Sequence, residues 1–289
     1  MSGGQIIVDR KYIPLDKSWI IRMGILDIVN GYEDIQKFLS IQQNLSDDLQ
    51  ALKRAATAWR SDQSIDVGES GTIYRLLKFI SWKLGLNKKF LTQGTLAKRK
   101  VTDDPSITRF SQTELLKLDN GTSQWATAAV LLGDEQRLPN PPFKLGLTYE
   151  AVDHWKQERE RNEIWTPRYD ETIFNQARAY LELLRGEKAE FVPEQAEDFC
   201  FAYTFGYMTA KEGEKRWPAL RSHESNRIIE IQEMLKAAKT GKEITSKDHR
   251  VVQAIAMWGR VNNKKVNILH PSVVNKSWPQ FWDFLNCQS

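Results

Sequence analysis

The sequence predicts an α/β fold on a chain long enough for two domains. It has 289 residues, of which 41% are hydrophobic and 27% charged, sufficient for a substantial buried core. Short strand-like stretches alternate with helical patterns, which is typical of α/β proteins rather than of all-helical or all-β ones. The strand-like stretches are residues 5–8, 65–67, 89–92 and 265–269, and the clearest helical patterns are 19–29, 73–84 and 227–239.

A loop-like segment followed by a charged segment marks a candidate domain boundary near the middle of the chain. Residues 137–143 read RLPNPPF, and residues 156–163 read KQERERNE. Proline and asparagine are typical of loops, whereas a run of mixed charge is most often the solvated face of a helix. The boundary is therefore expected close to these two segments.

Composition excludes several classes of site. Only Cys200 and Cys287 are present and the four histidines form no His-x-x-x-His pair, so neither a disulfide framework nor a metal site is expected. Lys plus Arg exceed Asp plus Glu by 41 − 37 = 4, which is modest for a nucleic-acid-binding protein but compatible with a pocket for anionic metabolites. Neither a membrane-spanning run nor a signal peptide is evident, so a cytoplasmic protein without nucleic-acid or membrane partners is expected.

Two stretches place small and basic residues at predicted helix starts. Residues 13–18 read IPLDKS and are followed by Arg22, one turn into a predicted helix. Residues 68–75 read GESGTIYR, a turn between a predicted strand and a predicted helix. Helix N-termini favour anions because their first N–H groups are unpaired. Either stretch alone also fits an ordinary structural role, since serine at a helix start is usually a cap.

Together with six further stretches, these residues resemble the motifs of the enolpyruvyl transferase family. The eight stretches, in order, are IPLDKSWIIR from Ile13, VGESGTIYR from Val67, LTQGTLAKR ending at Arg99, GTSQWATAAVLL from Gly121, VPEQAEDFCFAYTFG from Val192, LRSHESNRI from Leu220, KDHRVVQAIA from Lys247 and VVNKSWPQFWDFL from Val273. Two details resemble the branch of the 5-enolpyruvylshikimate-3-phosphate (EPSP) synthases rather than the branch that uses UDP-N-acetylglucosamine. They are Ser18 directly after Lys17 and the sequence KSWPQFW at residues 276–282.

The resemblance implies two α/β domains of the inside-out α/β barrel type, with the second domain reduced. Residues 15–165 would form the first domain, and residues 1–14 with 166–289 the shortened second one, with the ligand in a cleft that closes on binding. Family members are longer. The deficit falls mainly within residues 125–190, where the family's substrate-binding serine and tyrosine have no counterpart.

The resemblance also implies an enzyme that needs neither cofactor nor metal. It would move the carboxyvinyl group of phosphoenolpyruvate to shikimate 3-phosphate, or to a related phosphorylated hydroxy acid, and release phosphate. Both substrates are anionic, so several cationic groups must converge on them. By resemblance, the catalytic residues are Lys17, Glu194 and Glu224, the phosphoenolpyruvate ligands are Lys17, Arg99, Arg227, Arg250 and Lys276, and the other substrate-binding residues are Ser18, Arg22, Gly71, Thr72, Thr122, Ser123, Gln124 and His223.

Several of these residues also fit structural roles. Arg227 lies beside Glu224 and Glu230, as in a surface salt bridge, and Glu194 fits a first-turn acid favoured by the helix dipole. His249, between Asp248 and Arg250, is more typical of a histidine that holds its neighbours by hydrogen bonds than of a catalyst.

Departures from the family pattern leave a second hypothesis open. Glu69 stands where the family has Asn, which brings a negative charge beside a site for anions. His223 replaces a lysine and Glu194 an aspartate. The alternative is therefore a non-catalytic or repurposed paralogue that binds an anionic metabolite or a protein partner. Most of the cationic residues of the family pattern are present, which favours retained enolpyruvyl chemistry, with an acceptor that the sequence does not identify.

Overall fold

The computed structural model describes residues 8–161, 168–221 and 225–287. The chain divides into two compact units, Leu15–Arg168 and the combination of Met1–Pro14 with Tyr169–Ser289. They are called the 15–168 unit and the 169–289 unit below, and each is described by itself.

The 15–168 unit is built mainly from helices around one small sheet. Its elements are α1 (Lys17–Asn30), α2 (Asp34–Ile41), α3 (Asp47–Ala58), β1 (Ile65–Gly68), α4 (Gly71–Lys83), β2 (Phe90–Thr92), α5 (Gln112–Leu115), α6 (Gln124–Leu131) and α7 (Phe143–Arg161), with 3-10 turns at Leu96–Lys98 and Pro105–Arg109. The strands β1 and β2 are parallel, with Ile65 opposite Phe90, and α4 connects them. Parallel neighbours require such a crossover connection.

Helix α1 lies at the centre of this unit. Every residue from Trp19 to Ile28 is buried, and the helix packs against α2, α3, α6 and α7. A Cβ at Gly24 would lie 2.7 Å from Ile35 Cγ1 and 2.9 Å from Leu52 Cδ2, so α2 and α3 pack directly on the α1 backbone. The absence of a side chain at this position therefore sets the close approach of the helices.

The 169–289 unit is helical over most of its described length. Its elements are α8 (Glu171–Leu184), α9 (Phe199–Thr204), α10 (Ala210–Arg216), α11 (Arg227–Lys239), α12 (His249–Val261) and α13 (Phe281–Asn286), with 3-10 turns at Arg10–Tyr12, Ala196–Asp198, Pro218–Arg221 and Pro271–Lys276. Helix α12 is its central element. All residues from His249 to Gly259 are buried, and α12 packs against α8, α9 and α11.

The predicted helices over 19–29, 73–84 and 227–239 are confirmed as α1, α4 and α11. The predicted strands over 65–67 and 89–92 are confirmed, with small shifts, as β1 and β2. The strand predicted over 265–269 is wrong, because only Ile268 forms a bridge there, in parallel with Ile244. The partner segment cannot extend the pairing, since it runs within a few residues into the start of α12.

The first predicted strand lies mostly outside the described residues, and Val8 belongs to no strand. In the part of the chain that the structure describes, one two-stranded parallel sheet is present. This helix-rich arrangement is compatible with an α/β fold, but the inside-out barrel predicted for each domain is not seen in these residues. No helix in the described ranges combines the length and apolar character needed to cross a bilayer.

Candidate functional site

The predicted site residues of the 15–168 unit gather around the N-terminus of α4. Ser70 caps this helix, its side chain accepting a hydrogen bond from the Ile73 backbone N–H. The same hydroxyl donates to Asp48 Oδ1 at 2.5 Å, and Lys17 Nζ forms an ion pair with Asp48 Oδ2 at 2.8 Å. Asp48 thus joins the start of α1 to the start of α4.

Gln124 and Thr72 meet on the next face of the same helix end. Gln124 Nε2 donates to Thr72 Oγ1 at 2.8 Å, and Arg75 Nη1 donates to Gln124 Oε1 at 3.0 Å. Arg75 Nε also donates to Asp119 Oδ2 at 2.8 Å. Both ends of the Gln124 amide therefore have partners, which fixes its orientation.

Asp119 is the carboxylate that holds Arg75 in place. Burial would raise its pKa, but hydrogen bonds from Thr102 and Arg75 outweigh burial and hold the pKa below its ordinary value. Its side chain also accepts from Trp125 Nε1 at 3.1 Å. The result is a rigid carboxylate beneath Arg75.

Arg99 and Glu69 are linked through one hydroxyl. Arg99 Nη2 donates to Thr95 Oγ1 at 3.1 Å, and Thr95 Oγ1 donates to Glu69 Oε2 at 3.2 Å. A Cβ on Gly94 would collide with the Glu69 carboxylate, so the carboxylate lies against that glycine. A Cβ on Gly71 would lie 3.9 Å from Arg99 Nη1, which places this guanidinium beside the start of α4.

Arg22 is bound to neutral acceptors inside the unit. Its Nε donates to Thr148 Oγ1 at 2.8 Å, and its two terminal nitrogens donate at 2.6 Å to the backbone carbonyls of Ser18 and Lys144. Burial lowers the pKa of Arg22 to about 10. The resemblance assigns Arg22 to substrate binding, but in this structure its hydrogen bonds tie α1 to α7.

The remaining predicted residues of this unit lie at the start of α6. Thr122 Oγ1 accepts from the Gln124 backbone N–H at 3.4 Å, and Ser123 is the N-cap residue of α6 without a side-chain cap bond. Lys144 Nζ donates to Ser18 Oγ at 3.3 Å, which ties Ser18 to the start of α7.

A second set of predicted residues lies at the N-terminus of α12 in the 169–289 unit. Asp248 caps this helix and accepts from Arg227 Nε at 2.7 Å and from the Arg250 backbone N–H at 2.9 Å. The side chains of Arg227 and Asp248 are 5% and 0% exposed. Arg227 is therefore half of a buried ion pair and not of a surface salt bridge.

Arg250 is buried, and part of its guanidinium has no acceptor among the described residues. The residue is 4% exposed, and its Nε and Nη1 atoms have no hydrogen-bond partner within the described ranges. Buried guanidinium groups are costly unless paired. An anion that reached these two nitrogens would remove that cost.

Two further buried groups lie in the electrostatic field of Arg250. Asp198 accepts from Gln176 Nε2 at 2.8 Å and from the Glu194 and Gln195 backbone N–H groups, both at 3.0 Å. Burial raises the pKa of Asp198, while these bonds and the charge of Arg250 oppose the rise. Burial also raises the pKa of the Cys200 thiol, against the pull of Arg227 and Arg250.

Glu194, assigned to catalysis by resemblance, is exposed, whereas Asp198 four residues later is buried. Lys276 is half-buried at the end of the Pro271–Lys276 turn. Beside it, Ser277 Oγ accepts from Gln253 Nε2 at 3.0 Å, and Gln253 Oε1 is a buried acceptor with no partner among the described residues. The predicted Glu224 and His223 lie outside the described residues.

Sequence reasoning missed Asp48, Arg75 and Asp198. Arg75 lies one turn after Gly71 in a stretch already singled out, so its spacing could have indicated it. Asp48 follows another aspartate at the start of α3, a position where acids are ordinary. Nothing local distinguishes it, because its partners Lys17 and Ser70 are 31 and 22 residues away.

Comparison with protein families gives one match. The family model described as EPSP synthase (3-phosphoshikimate 1-carboxyvinyltransferase) matches residues 220–285. Searches of curated proteins and of solved structures found no match. The matched segment covers well under half of the chain and contains the last three of the eight motif stretches, with Arg227, Arg250 and Lys276. In this segment, which includes the buried cations at the start of α12, the chain resembles an EPSP synthase domain.

Proposed function

We propose that the chain is an enolpyruvyl transferase that moves the carboxyvinyl group of phosphoenolpyruvate to shikimate 3-phosphate or a related phosphorylated hydroxy acid. The observation that carries the proposal is Arg250, which lies inside the segment that matches the EPSP synthase family and whose buried guanidinium has two nitrogens without a partner among the described residues. Such a group has the charge and the unused donors that a carboxylate or phosphate requires.

In the 169–289 unit, the proposal assigns phosphoenolpyruvate to Arg227, Arg250 and Lys276. Arg227 and the α12 start are held in position by Asp248, so that Arg250 is presented from a fixed helix end. The positive end of the α12 dipole adds a favourable field for an anion.

In the 15–168 unit, the proposal assigns substrate binding to the residues around the starts of α1, α4 and α6. Asp48 and Arg75 are positioning residues in this scheme, since they hold Lys17 and Gln124 by direct hydrogen bonds. The substrate-facing residues are Lys17, Ser18, Gly71, Thr72, Arg99, Thr122, Ser123 and Gln124. Arg22 supports Ser18 through its backbone carbonyl.

The proposed reaction balances as an addition followed by an elimination. A proton is added to the methylene carbon of phosphoenolpyruvate, and the acceptor hydroxyl oxygen bonds to the adjacent carbon while losing its proton. Loss of a proton from the new methyl group then re-forms the double bond as the C–O bond to phosphate breaks. Lys17, Glu194 and Glu224 are the residues that the resemblance assigns to these proton transfers.

The test is release of inorganic phosphate from phosphoenolpyruvate in the presence of shikimate 3-phosphate. Release is expected for the unaltered chain and for Arg178→Ala, which removes an exposed arginine on α8, but not for Arg250→Ala. Calorimetry should show the same pattern for phosphoenolpyruvate binding, with a loss of about 10-fold to 150-fold for one charge-assisted contact.

Two results would change the proposal. If the chain bound phosphoenolpyruvate but released no phosphate with any acceptor tried, the hypothesis of a non-catalytic paralogue would be favoured. If Arg250→Ala left the affinity for every anionic ligand unchanged, the assignment of the α12 start as the anion site would be wrong.

A further inference from the structure

A groove at the opposite end of α12 combines fixed aromatic and cationic groups. Its cavity lies between the end of α12, residues 263–268 and α13, and its volume of about 500 Å³ is within the range of small-molecule sites. We call it the α12–α13 groove. Arg250 lies in the first turn of α12 and Arg260 in the last, so the groove is about 15 Å along the helix from the proposed phosphoenolpyruvate ligand.

Gly259 explains why the groove has this shape. A Cβ there would collide with the Val266 side chain and lie 2.9 Å from the Lys264 carbonyl oxygen. The Lys264 N–H donates to the Gly259 carbonyl at 2.8 Å. Residues 264–266 therefore lie directly on the helix end, which brings Lys264 and Lys265 next to Arg260.

The aromatic wall of the groove is held in one orientation. The Trp282 indole N–H donates to the Pro271 carbonyl at 2.9 Å, and its ring packs edge-on against Phe281 with centroids 4.9 Å apart. Trp282 is only half-buried, so part of its surface remains open to the groove. Arg260 is fixed as well, since its Nη2 donates to Asn286 Oδ1 at 2.9 Å.

The charge of the groove has one sign. Its walls carry Arg260, Lys264 and Lys265, and no aspartate or glutamate is among the described residues that line it. Cations at the end of a helix are favourable with its dipole, which accounts for one or two of them. The helix dipole does not explain why all three cations line the same groove as the half-exposed Trp282 indole and the apolar side chains of Val266 and Leu285.

We propose that the α12–α13 groove binds a small aromatic carboxylate. Its ring would pack against Trp282 and Leu285, and its carboxylate would be bound by Arg260, Lys264 and Lys265. Rigid aromatic and guanidinium groups reduce the ordering cost of binding, and a guanidinium binds a carboxylate through two parallel bonds. This site is separate from the proposed transferase site and does not depend on it.

The test uses 2-naphthoate as the probe and 2-naphthamide as its neutral match, with affinity measured by calorimetry and by ligand-observed NMR. The unaltered chain should bind 2-naphthoate at least about tenfold more tightly than 2-naphthamide at low salt. Lys264→Gln with Lys265→Gln should weaken 2-naphthoate binding about fivefold to tenfold. The matched pair Lys239→Gln with Lys242→Gln, which removes two exposed lysines near the end of α11, should change it less than about twofold.

Two further variants locate the probe. Trp282→Leu should weaken both probes, and its thermal unfolding shows whether α13 still folds. Arg250→Ala should leave 2-naphthoate binding unchanged, even if it abolishes binding of phosphoenolpyruvate. Equal affinity for the two probes, equal effects of the two lysine pairs, or loss of 2-naphthoate binding in Arg250→Ala would each overturn the proposal.

Discussion

The two sets of predicted site residues differ in how their charges are satisfied. In the 15–168 unit, Lys17 is paired with Asp48, and the guanidinium of the buried Arg22 donates three hydrogen bonds to neutral acceptors. In the 169–289 unit, Arg227 is paired with Asp248, but two nitrogens of the neighbouring buried Arg250 have no partner in the described part of the chain. The cations of the first set have hydrogen-bond partners within the protein, whereas Arg250 in the second set has two donors without a partner among the described residues.

This difference separates residues with a structural role in the fold from Arg250, which we propose binds an anion. A satisfied polar network adds rigidity and little net free energy, while an unsatisfied buried donor costs its full desolvation. Proteins retain such a cost mainly where a ligand removes it. The comparison therefore favours Arg250 over the paired cations as the residue most dependent on an anion.

The largest effect is expected from breaking the buried pair beside Arg250. Arg227→Met would leave the Asp248 carboxylate, which is fully buried, without its guanidinium partner. We expect a loss of about 3–5 kcal/mol in the free energy of unfolding, measured by urea denaturation. Arg178→Met, at an exposed position on α8, is the control. A loss below about 1 kcal/mol for Arg227→Met would mean that this pair does not hold the α12 start.

Arg250→Met should separate stability from binding. The Arg250 guanidinium is buried with two nitrogens that have no partner in the described ranges. Replacing it with an apolar side chain of similar length is therefore expected to leave the stability of the ligand-free protein unchanged or to raise it by about 1–3 kcal/mol. The same change should remove the rise in melting temperature that phosphoenolpyruvate produces in the unaltered chain. Strong destabilisation without ligand would show that Arg250 is satisfied within the fold, and the contrast between the two units would fail.

Two buried carboxylates should respond to pH in opposite directions. The pKa of Asp119 is lowered on folding, so its contribution to stability is complete above its unfolded value of 3.8 and is lost as the pH falls through the folded pKa. The pKa of Asp198 is raised, so its contribution is present below 3.8 and is lost as the pH rises through the folded pKa.

Urea denaturation at about pH 3 and about pH 7 tests both signs. Asp119→Asn should destabilise the protein more at the higher pH, and Asp198→Asn more at the lower pH. Asparagine suits position 119 because its backbone has a positive φ of 47°, which asparagine tolerates. The same pH response for both variants would contradict the assigned shifts.

The smallest effect is expected at Glu69, because this side chain is exposed. Glu69→Asn should change the free energy of unfolding by less than about 1 kcal/mol, since it removes one exposed hydrogen bond to Thr95. If Arg99 binds phosphoenolpyruvate, the substitution should strengthen that binding about twofold to fivefold at low salt and less at high salt. Glu150→Asn, at an exposed position on α7, is the control. Equal effects at both salt concentrations would show that Glu69 acts through shape and not through charge.

The parts of the fold that the sequence predicted well are those with strong local signals. Helix α1 follows a capping aspartate, Asp16, and α4 follows a capping serine, Ser70, so their starts were visible in the chain. The prediction of a strand over residues 265–269 was wrong, because alternation of apolar residues does not by itself supply a partner strand of matching length.

The candidate site was predictable only where its residues adjoin a motif. The resemblance located the starts of α1, α4 and α12, and the match over residues 220–285 covers the last of these. Partners distant in sequence, such as Asp48 for Lys17, depend on the packing of α3 against α1, which no local pattern specifies. The assignment of the exposed Glu194 to proton transfer stays a prediction, and the activity of Glu194→Gln would test it.

The burial of α1 on every side has a consequence for amide hydrogen exchange. Its residues from Trp19 to Ile28 are enclosed by neighbouring helices, and Gly24 removes the space in which the helix could shift. Its backbone N–H groups should therefore exchange with deuterium only when the surrounding helices separate. Those of α10 (Ala210–Arg216), where only Gly213 is buried, should exchange by local fraying. Lys17 and Ser18 would then lie at the start of a slowly exchanging helix, and a ligand bound there would contact a surface that was already ordered.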